Sequence, residues 1–234
     1  MSSTKRGDEY NSNYETPTWV VRRLLEAVQL TPGTWLEPGA GNGQIIQALY
    51  EDQPKAYQFT AIENRPECKD NLLAFPNVKQ VFIEDFLTWN ARDHKPRHPC
   101  SEHSYFTGAI LNPAFPITME VLSKCLTICD EVHMLQRLNW LGCGTNNGKN
   151  EFLQEFMPDV AAIPDRIQFM LNGRFPRHPE GAVDNKGNSI AGRKMGGDSI
   201  DYCWYSWKEK SGRFRSKGQI FTLAATSLEE RLAG

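Results

Sequence analysis

The hydrophobic and polar positions of this chain follow two different periods. In the stretch TPTWVVRRLLEAVQL, apolar residues recur at helical spacing after Thr16 and Pro17, which are typical of a helix start. These apolar positions are Val20, Val21, Leu24, Leu25 and Val28. Further helices are predicted in GQIIQALYED, RPECKDNLLAF, ITMEVLSKCLTIC and NEFLQEFM. The polar residues 1–13 predict a disordered tail ahead of the first helix.

Short apolar runs of the strand type lie between these helices. They are GTWLEPG, YQFTAIE, VKQVFIED, FTGAILN and the start of EVHMLQRLNWL. Strands that alternate with helices predict a doubly wound, Rossmann-like α/β fold with a mostly parallel sheet. The last third differs, because DRIQFML, IDYCWYSWKE and GQIFTLA all have strand patterns and a basic turn joins the latter two. We therefore expect an antiparallel C-terminal hairpin, within a single domain over residues 14–234.

Aromatic side chains alternate along the predicted strand IDYCWYSWKE. They are Tyr202, Trp204, Tyr205 and Trp207. Because successive side chains of a strand point to opposite faces, the pattern favours a strand with a face in the core over a platform for stacking bases.

Composition and charge narrow the range of functions. Hydrophobic residues make up 40% of the 234 positions and charged residues 23%, which is ordinary for a globular protein. The net charge of −2 gives no global sign of nucleic-acid binding, although a local basic surface remains compatible with it. No apolar stretch is long enough to span a bilayer, and the N-terminal MSSTKRGDEYNSNYE lacks the apolar core of a signal peptide. A cytoplasmic location without a membrane partner is therefore expected.

The cysteine and histidine residues do not predict a metal site. The six cysteines contain no Cys-x-x-Cys pair and are expected to be reduced thiols. The stretch HKPRHPCSEH holds His94, His98, Cys100 and His103, but their irregular spacing differs from that of tetrahedral zinc ligands. We interpret this stretch as a solvated loop.

Glycine residues follow the first predicted strand, in the motif LEPGAGNG. Gly39, Gly41 and Gly43 permit positive φ and let the backbone approach a ligand, and the following helix start offers N–H groups. Their spacing differs from the dinucleotide fingerprint Gly-x-Gly-x-x-Gly. Glu37, just ahead of the loop, would repel a pyrophosphate. It suits a cationic cofactor that carries an ammonium and a sulfonium group.

Acidic residues also end the second and third predicted strands. Glu63 stands at about the position where a ribose-binding acid is expected. Asp85 and Phe86 follow the third strand, where an acid could accept from an adenine amino group and a ring could stack on adenine. An acid after a strand is often only a helix cap, but three such clusters in this order favour a nucleoside-containing cofactor.

The fourth predicted strand ends in Asn112-Pro113-Ala114-Phe115. An amino group conjugated to a ring is a poor nucleophile, because its lone pair is delocalised. The Asn112 side-chain oxygen and the Pro113 carbonyl could accept its two N–H groups and stabilise the positive charge that develops on nitrogen. Phe115 could stack on the substrate ring. A strand-to-helix turn without a catalytic role is the alternative interpretation.

These motifs together resemble those of class I S-adenosylmethionine-dependent methyltransferases. Within that class the chain resembles the amino-methyltransferases of the small phage and bacterial type, which act on adenine N6. The resemblance rests on YETPTWVV, LEPGAGNG, IEN, EDF and NPAF, and it spans most of residues 14–224. It departs at Ala114, where the family usually has a second proline.

The resemblance implies S-adenosylmethionine as the cofactor and a defined set of site residues. The residues implied in cofactor binding are Tyr14, Thr16, Pro17, Glu37, Gly39, Gly41, Asn42, Glu63, Asp85, Phe86 and Asn112. The residues implied in catalysis are Asn112, Pro113 and Phe115. A cytoplasmic enzyme of a bacterium or of a phage-infected cell is the expected setting.

Two basic stretches favour nucleic acid as the partner. They are a glycine-rich loop insertion at about residues 172–199 and the turn KEKSGRFRSKG. The residues expected to contact nucleic acid are Arg174, Arg177, Lys186, Arg193, Lys194, Arg213 and Arg215. An ordinary long surface loop is the alternative for the first stretch.

The function predicted from the sequence is methylation of the N6 amino group of adenine in DNA, with the target base flipped into the cleft. Other planar amino groups fit the same residues, namely adenine N6 or guanine N2 in RNA and a glutamine amide in a protein. The non-enzyme alternative is an inactive cofactor-binding scaffold. Such a scaffold would often lose Glu63 or Asn112, and both are present.

Overall fold

The computed structural model describes most of the chain. The described residues are 14–94, 104–142, 148–171, 177–178, 180–184, 186–193, 200–210, 213–214, 218–225 and 227. The tail predicted at residues 1–13 lies outside them. Among the helices of this described part, none is long and apolar enough to cross a membrane.

Helices and strands alternate over the first two thirds of the described chain. The helices are α1 (Thr18–Ala27), α2 (Gln44–Asp52), α3 (Lys69–Leu73), α4 (Ala91–His94), α5 (Thr118–Ile128) and α6 (Lys149–Glu155). The strands are β1 (Tyr14–Glu15), β2 (Gly33–Pro38), β3 (Tyr57–Glu63), β4 (Val78–Ile83), β5 (Phe106–Leu111), β6 (Cys129–Arg137), β7 (Asp159–Ile163), β8 (Met170–Leu171), β9 (Tyr202–Lys210), β10 (Arg213–Phe214) and β11 (Ile220–Thr222). Short 3₁₀ turns lie at Pro66–Cys68, Phe115–Ile117 and Leu138–Leu141.

The main sheet is mixed but mostly parallel. Its strand order is β11-β7-β9-β6-β5-β2-β3-β4, and β10 pairs with the end of β9. Strands β2 to β6 are parallel to their neighbours among themselves, whereas β9 is antiparallel to both β6 and β7. The predicted doubly wound, Rossmann-like fold class is therefore confirmed.

The C-terminal pairing differs from the predicted one. Strand β9 is antiparallel and forms a short hairpin with β10, but β11 does not pair with β9. Instead β11 runs parallel to β7, which lies between the two strands. The direct pairing expected between IDYCWYSWKE and GQIFTLA is therefore wrong. The strand β7 was missed by the sequence prediction, and of DRIQFML only the two residues of β8 are extended, where they pair with β1.

Hydrophobic side chains cover both faces of the sheet. Trp35 and Trp204 lie in the cluster beneath α1 and α2, and Phe106 and Trp207 lie in the cluster beneath α5. The indole N–H of Trp204 donates to the Val20 carbonyl at 2.9 Å. All four aromatic residues of β9 are buried, so the core interpretation is confirmed, and it holds for both faces rather than one.

The cysteines of the described residues are buried in the core and form no disulfide with one another. They are Cys68, Cys125, Cys129 and Cys203. His94 ends α4 and stacks on Trp89 with ring centres 5.6 Å apart. The other members of the histidine-rich stretch, which are His98, Cys100 and His103, lie outside the described residues.

The strand order reverses beside β2, and this reversal positions the site. Strands β3 and β4 lie on one side of β2, and β5 and β6 lie on the other. In an open parallel sheet the crevice beyond the carboxyl ends at such a switch point is where ligands bind. The motifs that end β2, β3, β4 and β5 meet at this crevice.

Candidate cofactor and acceptor site

A cavity opens at the carboxyl ends of β2 to β5. Most of the residues that the sequence assigned to the cofactor line it. These are Tyr14, Thr16, Glu37, Gly39, Gly41, Glu63, Asp85, Phe86 and Asn112. Pro113 also lines the cavity. Pro17, Asn42 and Phe115 are not among the lining residues, and each lies beside one that is.

The glycine loop turns sharply between β2 and α2. Gly39, Gly41 and Gly43 have φ values of 70°, 56° and 81°, which L side chains rarely adopt. A Cβ at Gly43 would also lie 2.6 Å from the Phe75 ring. The Gly39 N–H donates to the Ile62 carbonyl at 2.8 Å, which holds the loop against the end of β3.

Glu63 is the fixed acid of the site. Its Oε2 accepts the Gly41 N–H at 2.8 Å, and its Oε1 accepts the Arg65 Nε–H at 2.8 Å and the Arg65 backbone N–H at 3.0 Å. Burial opposes its ionisation, but the hydrogen bonds from Arg65 and Gly41 and the charge of Arg65 outweigh burial and lower the pKa of Glu63. Glu63 is therefore a carboxylate at neutral pH, held in place before any ligand binds.

Glu37 is an acid that the protein pairs only in part, through a hydrogen bond with the backbone of Ile46. Only 2% of it is exposed, and its Oε2 has no hydrogen-bond partner among the described residues. Burial raises the pKa of Glu37 well above its ordinary value of 4.5, and the negative charge of Glu63 raises it further. A buried carboxyl with an unpaired oxygen favours a ligand that brings a positive charge or a donor to the cavity floor.

Two amide side chains tie the N-terminal residues Glu15 and Thr16 to the cavity. The Asn112 Nδ2 donates to the Thr16 hydroxyl at 3.1 Å. The Asn42 Nδ2 donates to the Glu15 carboxylate, and Asn42 Oδ1 in turn accepts from Asn71 at 2.9 Å. Thr16 thus orients the predicted catalytic amide, and Asn42 supports a lining residue instead of lining the cavity itself.

The loop after β4 carries Asp85 and Phe86. The Asp85 Oδ1 accepts the Leu87 N–H at 2.9 Å, so this acid also closes its own turn. Lys124 of α5 holds the loop from below, because its Nζ donates to the carbonyls of Phe86 at 2.5 Å, of Leu87 at 3.1 Å and of Trp89. The same ammonium lies 4.8 Å from the centre of the Phe86 ring. The buried Phe86 therefore presents only part of its surface to the cavity.

The predicted catalytic turn lies at the rim of the cavity. Pro113 is buried, whereas Phe115 is 39% exposed. The guanidinium of Arg137, at the end of β6, lies 3.7 Å from the centre of the Phe115 ring. One face of this ring is therefore covered by a cation, and a planar substrate would have the other face.

The structure describes only some of the basic residues assigned to nucleic acid. Lys186 and Arg193 are exposed, and Arg177 donates to the Gly192 carbonyl at 2.7 Å. Around Lys186 the backbone forms a tight turn closed by the bridge between Val183 and Ser189. Arg213 belongs to β10. Arg174, Lys194 and Arg215 lie outside the described residues.

Some side chains of the site were missed by the sequence prediction. Glu15 lines the cavity, Arg65 fixes Glu63, and Lys124 fixes the loop after β4. Arg65 follows Glu63 by two residues and could have been inferred as its ion-pair partner. Lys124 bonds to backbone carbonyls 35 to 38 residues away, and such a contact leaves no pattern in the sequence.

Comparison with known proteins supports the fold. Neither a protein-family model nor a curated protein sequence matches this chain. Among solved structures, a Pyrococcus horikoshii protein described as a candidate RNA methyltransferase is 14% identical, with 89% of this chain and 93% of that chain covered and a TM-score of 0.52. The methyltransferase subunit of a type I restriction-modification system from Streptococcus thermophilus is 12% identical, with 95% of this chain covered and a TM-score of 0.56. The match spans 52% of that subunit, about half of its length.

The chain has the class I methyltransferase fold. Both of these neighbours share it over nearly all of this chain, and the strand order described above is consistent with them. At identities of 12% and 14% the likeness concerns the fold, and the function must be argued from the site.

Proposed function

We propose that this protein is an S-adenosylmethionine-dependent methyltransferase that modifies the N6 amino group of adenine in DNA. The observation that carries the proposal is that Asn112 and Pro113 line the same cavity as Glu37, Glu63 and the glycine loop. An amide and a carbonyl acceptor beside a cavity with buried acids is the arrangement that amino-group methylation requires.

The acidic residues fit a cationic nucleoside cofactor. Glu37 has a buried oxygen without a partner among the described residues, which suits the ammonium group of the methionine part. Glu63, as a fixed carboxylate, would accept from the ribose hydroxyls, and Asp85 and Phe86 would hold the adenine. When bound, S-adenosylmethionine supplies an electrophilic methyl group on a positively charged sulfur. A pyrophosphate-bearing cofactor fits poorly, because two carboxyl groups would face its charge.

The turn Asn112-Pro113-Ala114-Phe115, here named the acceptor turn, would bind the substrate amine by hydrogen bonds. Because the Nδ2 of Asn112 is used by Thr16, the Oδ1 remains to accept one N–H of the substrate amine, and the Pro113 carbonyl accepts the other. These acceptors stabilise the positive charge that grows on nitrogen as its bond to the methyl carbon forms and the carbon–sulfur bond breaks. The amine then loses a proton to water, so the turn needs no strong base.

The kind of molecule that receives the methyl group is inferred from the exposed basic residues and from the ring of Phe115. Lys186 and Arg193 are exposed cations that could contact phosphates, and Phe115 offers one face for stacking a flipped base. A base in RNA and a glutamine amide would fit the same two acceptors, and they are the alternatives to be distinguished by experiment. An inactive scaffold is the non-enzyme alternative.

The test compares cells that express the protein with cells that express Asn112→Ala. Mass spectrometry of digested DNA, RNA and protein would measure N6-methyladenine, N2-methylguanine and N5-methylglutamine in parallel. We expect N6-methyladenine in DNA only with the unaltered chain. A methylated base confined to RNA, or a methylated glutamine, would replace the DNA proposal by the corresponding alternative. No methylated product from either chain, with cofactor binding retained, would favour the scaffold.

A further inference from the structure

The acceptor turn lacks a proline at the position where the resembling family has its second one. Ala114 nevertheless has φ −58° and ψ 134°, and this φ is close to the value of about −65° that a proline ring imposes. The turn thus keeps a proline-like backbone at a residue that does not enforce it. Any residue can adopt this conformation, so contacts with the rest of the protein, and not residue 114 itself, restrain the turn. This inference rests on the proposed function of the turn.

The hydroxyl of Thr118 contacts this turn from the first residue of α5. Its Oγ1 lies 3.2 Å from the carbonyl oxygen of Ala114 and 3.2 Å from that of Phe115. The side-chain amide of Gln136, on β6, donates to the same Oγ1 at 3.0 Å. Thr118 is 2% exposed and Gln136 is 1% exposed, so water does not compete for these bonds.

The direction of these hydrogen bonds follows from their partners. The Gln136 Oε1 accepts the Arg137 N–H at 3.0 Å, so the amide nitrogen is the atom that faces Thr118. The Thr118 oxygen therefore acts as an acceptor toward Gln136. Its single proton is directed to the carbonyls of Ala114 and Phe115, the only acceptors that it has among the described residues.

We propose that Thr118 and Gln136 are positioning residues that hold the acceptor turn in place of the missing proline. Thr118 fixes the backbone between Pro113 and Phe115 from the start of α5, and Gln136 supports Thr118 from β6, the strand that neighbours β5. Neither side chain touches the substrate. Fixing this backbone places the Pro113 carbonyl and the Phe115 ring for the amine. A shift of about 1 Å in such groups is enough to lower turnover about 100-fold.

The first test is Thr118→Val, which removes the hydroxyl at nearly constant volume, with Thr118→Ser as the matched control that retains it. For Thr118→Val we expect kcat to fall between about 10- and 100-fold, with the dissociation constant of S-adenosylmethionine unchanged. Thr118→Ser should keep kcat near that of the unaltered chain. Equal kcat for Thr118→Val and the unaltered chain would overturn the proposal.

The second test adds Ala114→Pro to Thr118→Val. The Ala114 N–H makes no hydrogen bond among the described residues, so a proline fits there. We expect the double variant to regain kcat while its Tm stays low, because the Gln136 amide remains unpaired in both. A merely structural role of Thr118 would make kcat follow Tm, and kcat that is not restored would contradict the proposal.

A third measurement separates this inference from the proposed function. The Ile117 N–H donates to the Ala114 carbonyl at 3.1 Å, so its hydrogen–deuterium exchange reports on the turn without any activity. Exchange in peptides that cover residues 112–120 should accelerate in Thr118→Val and slow again in the double variant. Unchanged exchange would overturn the role of Thr118 even in an active enzyme. Faster exchange in a protein that methylates nothing would support it while the proposed function fails.

Discussion

The side-chain amide of Asn112 donates a hydrogen bond of 3.1 Å to the hydroxyl of Thr16, 96 residues earlier in the chain. This bond joins the end of β5 to the segment that precedes α1. The nitrogen of the amide thus bonds to the protein, and its oxygen can accept a hydrogen bond from a substrate amine. The two motifs YETP and NPAF, far apart in the sequence, thus meet at the same cavity.

We expect Asn112→Ala to nearly abolish methyl transfer, because the lost oxygen acts on the charge that develops in the transition state. Loss of one such group typically lowers kcat by about 10²- to 10³-fold. Cofactor affinity should change little, since Asn112 is one of many lining residues. A radiolabelled-methyl assay and calorimetry measure the two quantities. Wild-type turnover in Asn112→Ala would mean that NPAF is only a strand-to-helix turn.

Phe115→Ala should mainly weaken the binding of the acceptor. The free face of the ring would contribute a stacking energy of about 1–3 kcal/mol, as base–aromatic contacts do. The KM for an adenine-containing oligonucleotide should rise by roughly the corresponding 5- to 150-fold. Phe115→Tyr, which keeps the ring, is the matched control. An equal KM for Phe115→Ala and the control would exclude stacking on this residue.

Replacement of Glu63 should weaken cofactor binding. Glu63→Ala would remove the proposed ribose contacts, and it would also leave the Arg65 guanidinium and the Gly41 N–H without their partner. Hydrogen bonds to a charged group are worth about 1.5–3 kcal/mol each, so we expect affinity for S-adenosylmethionine to fall at least about tenfold. Glu67→Ala, at an exposed acid nearby, is the control. Calorimetry that finds equal affinities would remove Glu63 from the site.

Much of the fold could be predicted because the relevant signals are local. The strands β2 to β6 are short apolar runs with turn residues at both ends. The polar residues at their carboxyl ends meet because parallel strands share a carboxyl edge. The strand β7 was missed because Asp159–Ile163 is short and the longer apolar run that follows looked more strand-like. The pairing of β11 with β7 instead of β9 is a long-range choice that no local pattern encodes.

The residues of the candidate site also divide into those with a local sequence signal and those without one. Glu37, Glu63 and Asn112 were found because each lies at the carboxyl end of a predicted strand. Lys124 and Gln136 were not found, because they act on backbone carbonyls or on a single hydroxyl that only the fold brings near. Supporting residues of this kind depend on tertiary packing and have no fixed spacing from the groups they hold.

Charge reversal of the exposed loop residues Lys186 and Arg193 tests whether the molecule that is methylated is a nucleic acid. Lys186→Glu with Arg193→Glu should weaken DNA binding and reduce the slope of log affinity against log salt by about 2, since each phosphate contact contributes about 0.9. Cofactor affinity should not change. Lys55→Glu is the matched control. Lys55 is exposed in the turn before β3, at the end of the sheet opposite the cavity.

Fluorescence anisotropy with labelled DNA and RNA at several salt concentrations measures this slope. The reversed residues would act on both nucleic acids through phosphate contacts. If the loop variant binds both with the affinity and slope of the control, the basic loop is only a surface loop. The glutamine amide would then become the favoured acceptor.

The last prediction concerns pH and Glu37. Burial raises the pKa of Glu37, so in the ligand-free protein folding stabilises the protonated form. The stabilisation is complete below the ordinary pKa of 4.5 and is lost as pH rises through the raised pKa of the folded protein. A cationic ligand favours the carboxylate instead, so the affinity for S-adenosylmethionine should increase with pH over the same interval.

Glu37→Gln keeps the shape of the side chain without its charge, and its affinity and Tm should lack both trends. Calorimetric titrations and melting curves between pH 5 and about pH 8 test the sign of both pH dependences. The upper limit keeps the measurements below the pKa at which free cysteine thiols ionise in model peptides. An affinity that falls as pH rises, or an equal pH dependence in Glu37→Gln, would show that Glu37 does not meet the positive charge of the cofactor.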